Sequence, residues 1–313
     1  MPKWNTRKWD TADIPDQGGR TALVTGANSG LGLRTAQVLA EKGAHVLLAC
    51  RSAERGRRAL EQVLATGGRA EVVPLDLADL ASVRAAAARV RERTGDALDV
   101  LVNNAGVMAV PKGRTADGFE TQFGTNHLGH AALTWLLMPA LRTRPGARVV
   151  TVSSLLHRIG RVDLADPNYE ARRYSAWAAY GQSKLANLLF ARELDRRARA
   201  AGVDVTSVAA HPDATATELS ANMARARGNP LLGLGTKISD LFSQPVALGA
   251  LPQLYAATSP DVEPGGYYGP DGFRETRGHP APARSTPASR DQLAANRLWD
   301  LTAELTGVAP DPS

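Results

Sequence analysis

The chain has 313 residues, of which 43% are hydrophobic and 22% charged, and its formal net charge is +6. This length and composition are typical of one globular α/β domain with insertions. No apolar run is long enough to span a membrane. The basic residues are scattered over many helical segments without a nucleic-acid recognition module, which argues against nucleic acid as a partner.

The cysteine and histidine residues give further information about the cellular compartment and about metal binding. The single cysteine, Cys50, excludes an intrachain disulfide and fits a reducing compartment. His127 and His130 lie three residues apart, but two ligands alone do not make a metal site, and none is expected. Residues 1–19 have no apolar segment typical of a signal peptide. These features predict a soluble protein of the cytoplasm.

In chain order, residues 1–19 are expected to form an arm that packs Trp4 and Trp9 onto a single domain, 20–313. Short β-branched runs then alternate with amphipathic stretches. The predicted strands are Ala22–Thr25, His45–Ala49, Glu71–Leu75, Val100–Asn103, Arg148–Ser153 and Val203–Val208. The predicted helices are Gly32–Lys42, Ala53–Ala65, Leu80–Arg93, Gly118–Leu141 and Ser175–Ala201. This alternation indicates an α/β fold, a single doubly wound parallel sheet of Rossmann type with helices on both faces.

The first chemical motif, Thr25-Gly-Ala-Asn-Ser-Gly-Leu-Gly32, joins the first predicted strand to the first helix. Backbone N–H groups at such a helix N-terminus bind anions, and glycine lets the backbone approach a pyrophosphate. The spacing differs from the general G-x-G-x-x-G fingerprint, and a plain turn is the alternative. The strand–loop–helix context favours a nucleotide site. Its candidate contacts are Gly26, Asn28, Ser29, Gly30, Leu31 and Gly32.

The end of the second strand selects between dinucleotides. A carboxylate there would bind the ribose 2′-hydroxyl and repel a 2′-phosphate. This chain instead has Arg51, whose planar guanidinium suits a phosphate, with Arg55 as reinforcement. The alternative is that Arg51 only solvates the start of a helix. NADP(H) is therefore favoured over NAD(H).

Two further strand ends carry candidate cofactor contacts. Asp76 and Leu77 follow the third strand, where an adenine would lie, unless Asp76 is simply the N-cap of a helix. Asn103-Asn-Ala-Gly106 follows the fourth strand, and its small residues suit a crevice in which a ligand lies against backbone. A plain turn is the alternative. The candidate contacts there are Asn103, Ala105 and Gly106.

Tyr180 and Lys184 lie four residues apart in an apolar-periodic run, 176–191. On a helix they share one face, about one turn apart. A phenol with a pKa near ~10 is a poor base at neutral pH. A nearby ammonium is expected to lower that pKa, which suits proton exchange with an alcohol or carbonyl oxygen. Taken alone the pair is a chance helical spacing, so its interpretation depends on the cofactor loop and a second hydroxyl.

Together these motifs resemble the short-chain dehydrogenase/reductase family over roughly residues 20–275. The segments Val107-Met108, Thr125-Asn-His-Leu-Gly-His130 and Trp177-Ala-Ala-Tyr-Gly-Gln-Ser-Lys-Leu-Ala-Asn187 resemble its retinol dehydrogenase-like and protochlorophyllide reductase-like members. So does the tail Tyr267-Tyr-Gly-Pro-Asp-Gly272. The resemblance implies hydride transfer between NADP(H) and a carbonyl or alcohol carbon of a small molecule.

The resemblance also implies four catalytic roles. Tyr180 would be the acid/base, and Ser154 would hydrogen-bond the substrate oxygen and stabilise the developing alkoxide. Ser153, beside it, would only cap the strand end. Lys184 would bind the nicotinamide ribose and lower the pKa of Tyr180. Asn126 would hold a water that links Lys184 to solvent, or else have a structural role inside its helix.

Three departures limit what the resemblance implies. The 25 residues between Ser154 and Tyr180 exceed the family's usual length. The extra segment, His157–Tyr174, contains several arginines and is expected to rim the substrate entrance. The family's Pro-Gly after the sixth strand is here Pro212-Asp213, and Asp213 either reshapes or charges the pocket or is harmless. The third departure is twofold: the membrane anchor of animal retinol dehydrogenases and the cysteine near the protochlorophyllide reductase active site are both missing.

The remaining assignments concern the substrate and the assembly. Pro212 and Thr217 would contact the nicotinamide. The loop 212–245, apolar from 218 on, is interpreted as a lid over a lipophilic or aromatic substrate, and 270–313 as a C-terminal extension. The helices at 118–141 and 175–201 form the dimer face in many relatives, so the resemblance allows a homodimer unless insertions block that face.

Two other functions remain open. An enzyme that reduces a carbon–carbon double bond is one, and the missing cysteine counts against it. A non-catalytic NADP(H)-sensing protein is the other, and the complete set of four catalytic residues counts against that.

Overall fold

The computed structural model of the chain describes residues 8–212 and 245–312. Eight strands form one sheet within these ranges: β1 Thr21–Thr25, β2 His45–Cys50, β3 Arg69–Pro74, β4 Val100–Asn103, β5 Ala147–Val152, β6 Val205–Ala210, β7 Tyr267–Pro270 and β8 Pro280–Pro282. Their order across the sheet is β3-β2-β1-β4-β5-β6-β7-β8. The first seven strands are parallel, and β8 is antiparallel to β7. The predicted single parallel sheet is confirmed, with one antiparallel edge strand added.

Helices connect the strands and cover both faces of the sheet. The helices are α1 Gly30–Glu41, α2 Ala53–Leu64, α3 Leu80–Thr94, α4 Thr121–Phe123, α5 Gly129–Arg142, α6 Ala176–Ala200, α7 Val246–Gly249, α8 Leu251–Thr258 and α9 Gln292–Thr306. All six predicted strands and all five predicted helical segments are present. No helix in the part of the chain that the structure describes is long and apolar enough to cross a membrane.

The predicted helix 118–141 is not continuous. A short α4 leads into a π-helical turn, Gly124–Leu128, before α5 begins. The N–H of Gly129 bonds the carbonyl of Gly124, the five-residue spacing of a π turn. Such turns are rare and are frequently found at functional sites. This one contains Asn126, one of the four expected catalytic residues.

Alternating strand residues build two core layers. Leu23 of β1 and Leu101 of β4 are buried on the face that packs against α3 and α5. Their neighbours Val24 and Val102 are buried on the opposite face, with residues of α1 and α8. Successive side chains of a strand point to opposite faces, so a strand covered on both sides must be apolar throughout. This explains the continuous apolar runs.

The strand register brings the motifs to one edge of the sheet. Thr25 lies beside Ala49, and Asn103 beside Thr151, so the carboxyl ends of neighbouring strands are level. The order of strands reverses direction between β1 and β4. In open α/β sheets the ligand crevice lies at this switch point, outside the carboxyl ends of the strands. The glycine loop, Arg51, Asp76, the segment 103–106 and Ser154 each follow one of these strand ends.

The C-terminal region is more ordered than the sequence predicted. The sequence analysis predicted no strand beyond Val208, yet the proline- and glycine-rich stretch 260–287 contains β7 and β8. Two prolines in β8 obscured the strand, and prolines are tolerated there because β8 is at the sheet edge. Helix α9 then packs on α5 and α6. Its Trp299 stacks on Phe190, with ring centroids 5.4 Å apart, and meets Trp135 edge-on at 4.8 Å.

This packing bears on the homodimer that the resemblance allows. The face of α5 and α6 that the resemblance assigned to a dimer is covered by α9 of the same chain. Buried Leu298 of α9 lies in one apolar cluster with Leu185 and Leu189 of α6. A dimer would therefore have to use α9 itself or another surface.

The N-terminal arm is described from residue 8. Trp9 packs edge-on against Tyr255 of α8, with ring centroids 5.2 Å apart. Its main-chain carbonyl lies 2.9 Å from Nδ1 of His279, so the arm is also tied to the C-terminal region. Trp4 lies outside the described residues.

Candidate active site

The glycine loop between β1 and α1 is shaped for close approach. Gly30 has φ +55°, which L-residues rarely adopt. A Cβ added at Gly32 would lie 2.4 Å from the carbonyl oxygen of Gly26, so no side chain fits there. Helix α1 begins at Gly30, and its N-cap, Ser29, makes no side-chain cap bond. The first N–H groups of α1 therefore remain for an anion, and the loop fits a pyrophosphate.

The hydroxyl of Thr25 ties this loop to the segment after β4. Its Oγ1 accepts hydrogen bonds from the N–H groups of Asn104, at 2.9 Å, and Ala105, at 3.0 Å. The Asn104 side chain in turn donates to the Thr25 carbonyl at 2.8 Å. From α8, Gln253 donates to Thr35 and, at 3.4 Å, to the carbonyl of Leu31. These hydrogen bonds join the glycine loop, 25–32, and the segment 103–106 into one unit, which we call the cofactor floor.

Sequence reasoning missed three parts of this floor. Thr25 and Asn104 stand inside recognised motifs, but a motif does not say which side chain fastens the loops together. Gln253 had no local signal, because it lies 149 positions beyond Asn104.

Asn103 is placed differently from the other candidates in its segment. Its side chain is buried, and its Nδ2 donates to Oγ1 of Thr134 in α5 at 2.9 Å. Any cofactor contact at Asn103 would have to come from its main chain. Ala105 and Gly106 are only partly buried at the surface of the crevice, so their backbone is open to a ligand.

Arg51 is exposed immediately after β2. The start of α2 is capped by Ser52, whose hydroxyl accepts from the N–H of Arg55 at 3.3 Å. The alternative role of Arg51, solvating that helix start, is therefore not needed. Among the described residues Arg51 has no hydrogen-bond or ion-pair partner, whereas Arg58 is paired with Glu54. Its guanidinium is free to bind a phosphate.

Asp76 is not the N-cap of α3, because Asp79 caps that helix. Instead Oδ1 of Asp76 accepts from the N–H of Ala78 at 3.0 Å, and its own N–H donates to the Ser82 hydroxyl at 2.9 Å. Leu77 is buried, and its carbonyl oxygen would be 2.4 Å from a Cβ added at Gly129. The turn is held firmly at the edge where an adenine was expected.

Tyr180 and Lys184 lie on α6, which crosses the carboxyl end of β5. Lys184 Nζ lies 5.6 Å from the centroid of the Tyr180 ring. The Ser154 hydroxyl hydrogen-bonds Tyr180. A Cβ added at Gly106 would lie 3.1 Å from Oδ1 of Asn126 and 3.6 Å from Lys184 Nζ. The structure therefore brings all four expected catalytic residues to one end of the crevice.

The two adjacent serines face different ways. Ser153 is buried, and its hydroxyl donates to the main-chain carbonyl of Lys184 at 2.8 Å. The sequence predicted that Ser153 would only cap the strand end. In the structure it instead connects α6 to the sheet. Ser154 is half-buried, accepts from the N–H of Leu156 at 3.2 Å, and hydrogen-bonds Tyr180. Only Ser154 can reach a substrate oxygen beside the phenol.

The pKa of Tyr180 does not follow the sequence prediction. Burial raises the pKa of its phenol to about 12, and the hydrogen bond from Ser154 only partly opposes this. Burial also lowers the pKa of Lys184 to about 8. The expected lowering by Lys184 is not seen, because burial outweighs a charge held 5.6 Å from the ring. At neutral pH the pair is a neutral phenol and a largely protonated ammonium.

Asn126 uses its whole side chain in the structure. Oδ1 accepts from the N–H of Val107 at 2.8 Å, and Nδ2 donates to the Val107 carbonyl at 2.9 Å and to the Ser183 hydroxyl at 3.0 Å. These bonds join the π turn to the segment after β4 and to α6. The structural role left open by the sequence is therefore present, and it places Asn126 beside α6.

The segment between Ser154 and α6 packs against α6 next to Tyr180. A Cβ added at Gly160 would lie 2.2 Å from the carbonyl of Gly181. Arg158 forms a 3.0 Å ion pair with Glu275, so the segment also contacts the region after β7. Arg172 turns inward, 3.7 Å above the centroid of the Tyr169 ring. Arg161 and Arg173 are exposed.

Asp213, Thr217 and residues 218–244 of the predicted lid lie outside the described residues. Pro212, directly after β6, is the last described residue before them. In residues 8–212 and 245–312, no group of three or more histidine, cysteine or acidic side chains is placed to hold a metal ion.

Comparison with known proteins adds independent evidence. A sequence model described as short chain dehydrogenase matches residues 20–228. Retinol dehydrogenase 12 of Mus musculus is 40% identical over 293 residues, covering 93% of this chain and 87% of that protein. Polyprenol dehydrogenase of Mus musculus is 43% identical over 302 residues, covering 94% of this chain and 86% of that protein.

Among solved structures, an uncharacterized protein from Mycobacterium Paratuberculosis is 43% identical. It superposes with a TM-score of 0.80 and covers 96% of this chain and 98% of its own. These alignments extend well beyond residue 228, so most of the C-terminal part is shared as well.

Proposed function

This chain belongs to the short-chain dehydrogenase/reductase family and to its retinol dehydrogenase-like subgroup, and from that premise we propose an NADP(H)-dependent reaction. The protein would catalyse hydride transfer between nicotinamide and the carbonyl or alcohol carbon of a lipophilic substrate. The observation that carries the proposal is the grouping of Ser154, Tyr180 and Lys184 beside the backbone of Gly106.

The chain's own residues supply the proton chemistry. The nicotinamide, when bound, supplies or accepts the hydride. In the reducing direction the neutral phenol of Tyr180 donates its proton to the carbonyl oxygen, and the Ser154 hydroxyl donates a second hydrogen bond to that oxygen. The ammonium of Lys184 stabilises the phenolate that this leaves. A pKa of about 12 suits Tyr180 as a proton donor at neutral pH.

The cofactor preference rests on Arg51 and the glycine loop. The N–H groups of α1 and the close approach at Gly32 support a pyrophosphate site. The exposed Arg51 has no partner among the described residues, and no carboxylate stands in its place to repel a 2′-phosphate. These features support NADP(H) over NAD(H).

A lipophilic substrate is supported by two observations. Ile159, just beyond Ser154, is 58% exposed, and Phe273 is 80% exposed. The ion pair between Arg158 and Glu275 brings their two segments together at the same end of the sheet. The similar proteins named above are dehydrogenases of retinol and of polyprenol, both alcohols with long apolar chains.

The direct test is NADPH oxidation by the purified protein with a panel of apolar aldehydes and ketones, including retinal. Parallel reactions use NADH and the Tyr180→Phe variant. The expected result is turnover with NADPH that is lost in the variant, with alcohol as the product. A saturated carbonyl product would identify a carbon–carbon double-bond reductase instead. Binding of NADPH without turnover across the panel would favour a sensing role.

A further inference from the structure

A buried histidine connects the cofactor floor to the π turn. His130 lies in the first turn of α5 and is 2% exposed. Its Nε2 is 2.9 Å from Oγ1 of Thr25, at the end of β1. Its Nδ1 is 3.0 Å from the main-chain carbonyl of Asn126. A single imidazole therefore bridges the strand that carries the glycine loop and the turn that carries Asn126.

The hydrogen bonds around Thr25 determine where the imidazole proton lies. A hydroxyl has one hydrogen to donate and two acceptor sites. Both acceptor sites of Thr25 are used by the N–H groups of Asn104 and Ala105. The hydroxyl must therefore donate its hydrogen, and Nε2 of His130 at 2.9 Å is closer than the Val102 carbonyl at 3.3 Å. His130 then carries its proton on Nδ1 and donates it to Asn126.

The surroundings also keep this ring neutral. Burial lowers the pKa of His130 to about 4, the charge of Lys184 acts in the same direction, and the hydrogen bond to the Asn126 carbonyl opposes them. The ring therefore does not exchange protons near neutral pH. It acts as a rigid link with one fixed donor and one fixed acceptor.

We propose that His130 is a positioning residue, which holds Asn126 and the adjoining catalytic helix at a fixed distance from the cofactor floor. The inference rests on the proposed function, because its consequence is measured as turnover. Without the imidazole, the Thr25 hydroxyl and the Asn126 carbonyl lose a buried partner, and the π turn is free to relax. Relaxation would break the bonds of Asn126 to Val107 and Ser183, next to Lys184.

His127 provides a matched control within the same π turn. It is equally buried, but its Nε2 lies 3.0 Å from Oγ1 of Thr302 in α9. Its ring packs between Phe123 and Phe190, with centroids 5.2 and 5.9 Å away. His127 thus has the same burial and a comparable hydrogen bond. It also interacts with the side chain of Asn187 in α6, and none of these named partners belongs to the cofactor floor.

The kinetic experiment compares kcat of His130→Leu, His130→Asn and His127→Gln with that of the unaltered protein. Each kcat is calculated from the concentration of protein that binds NADPH. In His130→Asn the side-chain Nδ2, bonded to Cγ as Nδ1 of histidine is, can still donate to the Asn126 carbonyl. Leucine has no such donor. We expect His130→Leu to lower kcat about 10- to 100-fold, the range for a small misplacement of catalytic groups. His130→Asn should recover part of this loss, and His127→Gln should leave kcat within about twofold. Equal kcat in all four proteins would overturn the proposal, and so would equal losses in both histidine positions.

A second readout does not depend on turnover. In protein labelled with ¹⁵N-histidine, the ring nitrogens of His130, assigned by its loss in the variants, should show the Nδ1–H tautomer without titration between about pH 5.5 and about pH 8.5. An Nε2–H tautomer, or titration in that range, would overturn the inference even in an active enzyme. The expected tautomer in a protein without turnover would reject the proposed function and leave the geometry of the link intact.

Discussion

The ammonium of Lys184 donates a 3.0 Å hydrogen bond to the main-chain carbonyl of Val152, the last residue of β5. The side-chain amide of Asn187, one turn further along α6, donates to the same carbonyl at 3.1 Å. Helix α6 is thus fixed to the strand end by two side chains. Lys184 is only 4% exposed, so its charge is held in a site where burial disfavours it.

This burial predicts a dependence of stability on pH. Burial lowers the pKa of Lys184 from 10.5 to about 8 in the folded protein. Between these values the unfolded chain binds the proton and the folded protein does not, so the free energy of unfolding rises with pH. We expect Lys184 to contribute a gain of about 2 kcal/mol between about pH 7.5 and about pH 9.5.

The measurement is urea unfolding at both pH values for the unaltered protein and for Lys184→Met, and the difference between the two isolates this group. Tyr180 acts in the opposite direction only above about pH 10, because burial raises its pKa. Equal pH dependence in both proteins would show that Lys184 keeps its ordinary pKa.

Substitutions of the two adjacent serines after β5 are expected to have very different effects on kcat. Ser154→Ala removes a hydroxyl that hydrogen-bonds Tyr180 and would donate to the substrate oxygen. Loss of one such donor lowers kcat about 100- to 1000-fold. Ser153→Ala removes the 2.8 Å bond to the Lys184 carbonyl and a hydrogen bond with Tyr267, so we expect about 1 kcal/mol less stability and kcat within about threefold.

Both serine variants are assayed for NADPH oxidation and for thermal unfolding. A large loss of kcat in Ser153→Ala with Ser154→Ala unaffected would reverse the assignment. Equal losses in both would mean that the strand end acts as one structural unit.

Local patterns in the sequence predicted much of this site, and the failures have a physical cause. The loop from Thr25 to Gly32 and the pair Tyr180 and Lys184 are set by spacing within one turn or one helix, so the sequence alone located them. The orientation of Asn103 toward Thr134 depends on which face of the sheet α5 covers. No local pattern contains that information.

The predictions for the pKa of Tyr180 and for the C-terminal strands failed for the same reason. The one-turn spacing predicted that Lys184 would lower the pKa of the phenol, but burial by residues distant in sequence dominates. Strand β8 is short and contains two prolines, and only its pairing with β7 makes it a strand. The packing of Trp299 against Phe190 likewise joins residues far apart in the chain.

Gly32 offers a test of the cofactor loop that does not depend on catalysis. An alanine Cβ at this position would lie 2.4 Å from the Gly26 carbonyl and 2.6 Å from the Asn104 side-chain nitrogen. Because Gly26 belongs to the same loop, Gly32→Ala must displace it. We expect NADPH affinity to fall at least about 10-fold, since the loop amides no longer converge on the pyrophosphate.

The matched control is Gly67→Ala, at a glycine with φ +82° and no heavy atom within 4 Å of an added Cβ. It should reduce stability by about 1 kcal/mol through backbone strain and leave NADPH affinity unchanged. The readout is NADPH fluorescence titration. Unchanged affinity in Gly32→Ala would place the pyrophosphate elsewhere.

We expect Arg51 to determine the preference for NADPH over NADH. A charge-assisted bond between its guanidinium and a 2′-phosphate contributes about 1.5–3 kcal/mol, so Arg51→Asp should weaken NADPH binding by at least about 10-fold. The new carboxylate would also repel the phosphate and could accept the 2′-hydroxyl of NADH, which reverses the preference. Arg57→Asp makes the same charge change at another exposed position, within α2.

The ratio of kcat/KM with NADPH to that with NADH is the quantity to compare across the three proteins. Because the two variants have the same net charge, a general electrostatic effect would lower the ratio equally in both. We expect a fall of at least about 10-fold that is confined to Arg51→Asp and is carried by the KM for NADPH. A ratio that is unchanged in Arg51→Asp would mean that the residue does not bind the 2′-phosphate. In that event the preference would have to arise from another cation at the same strand end, with Arg55 in the first turn of α2 the next to replace.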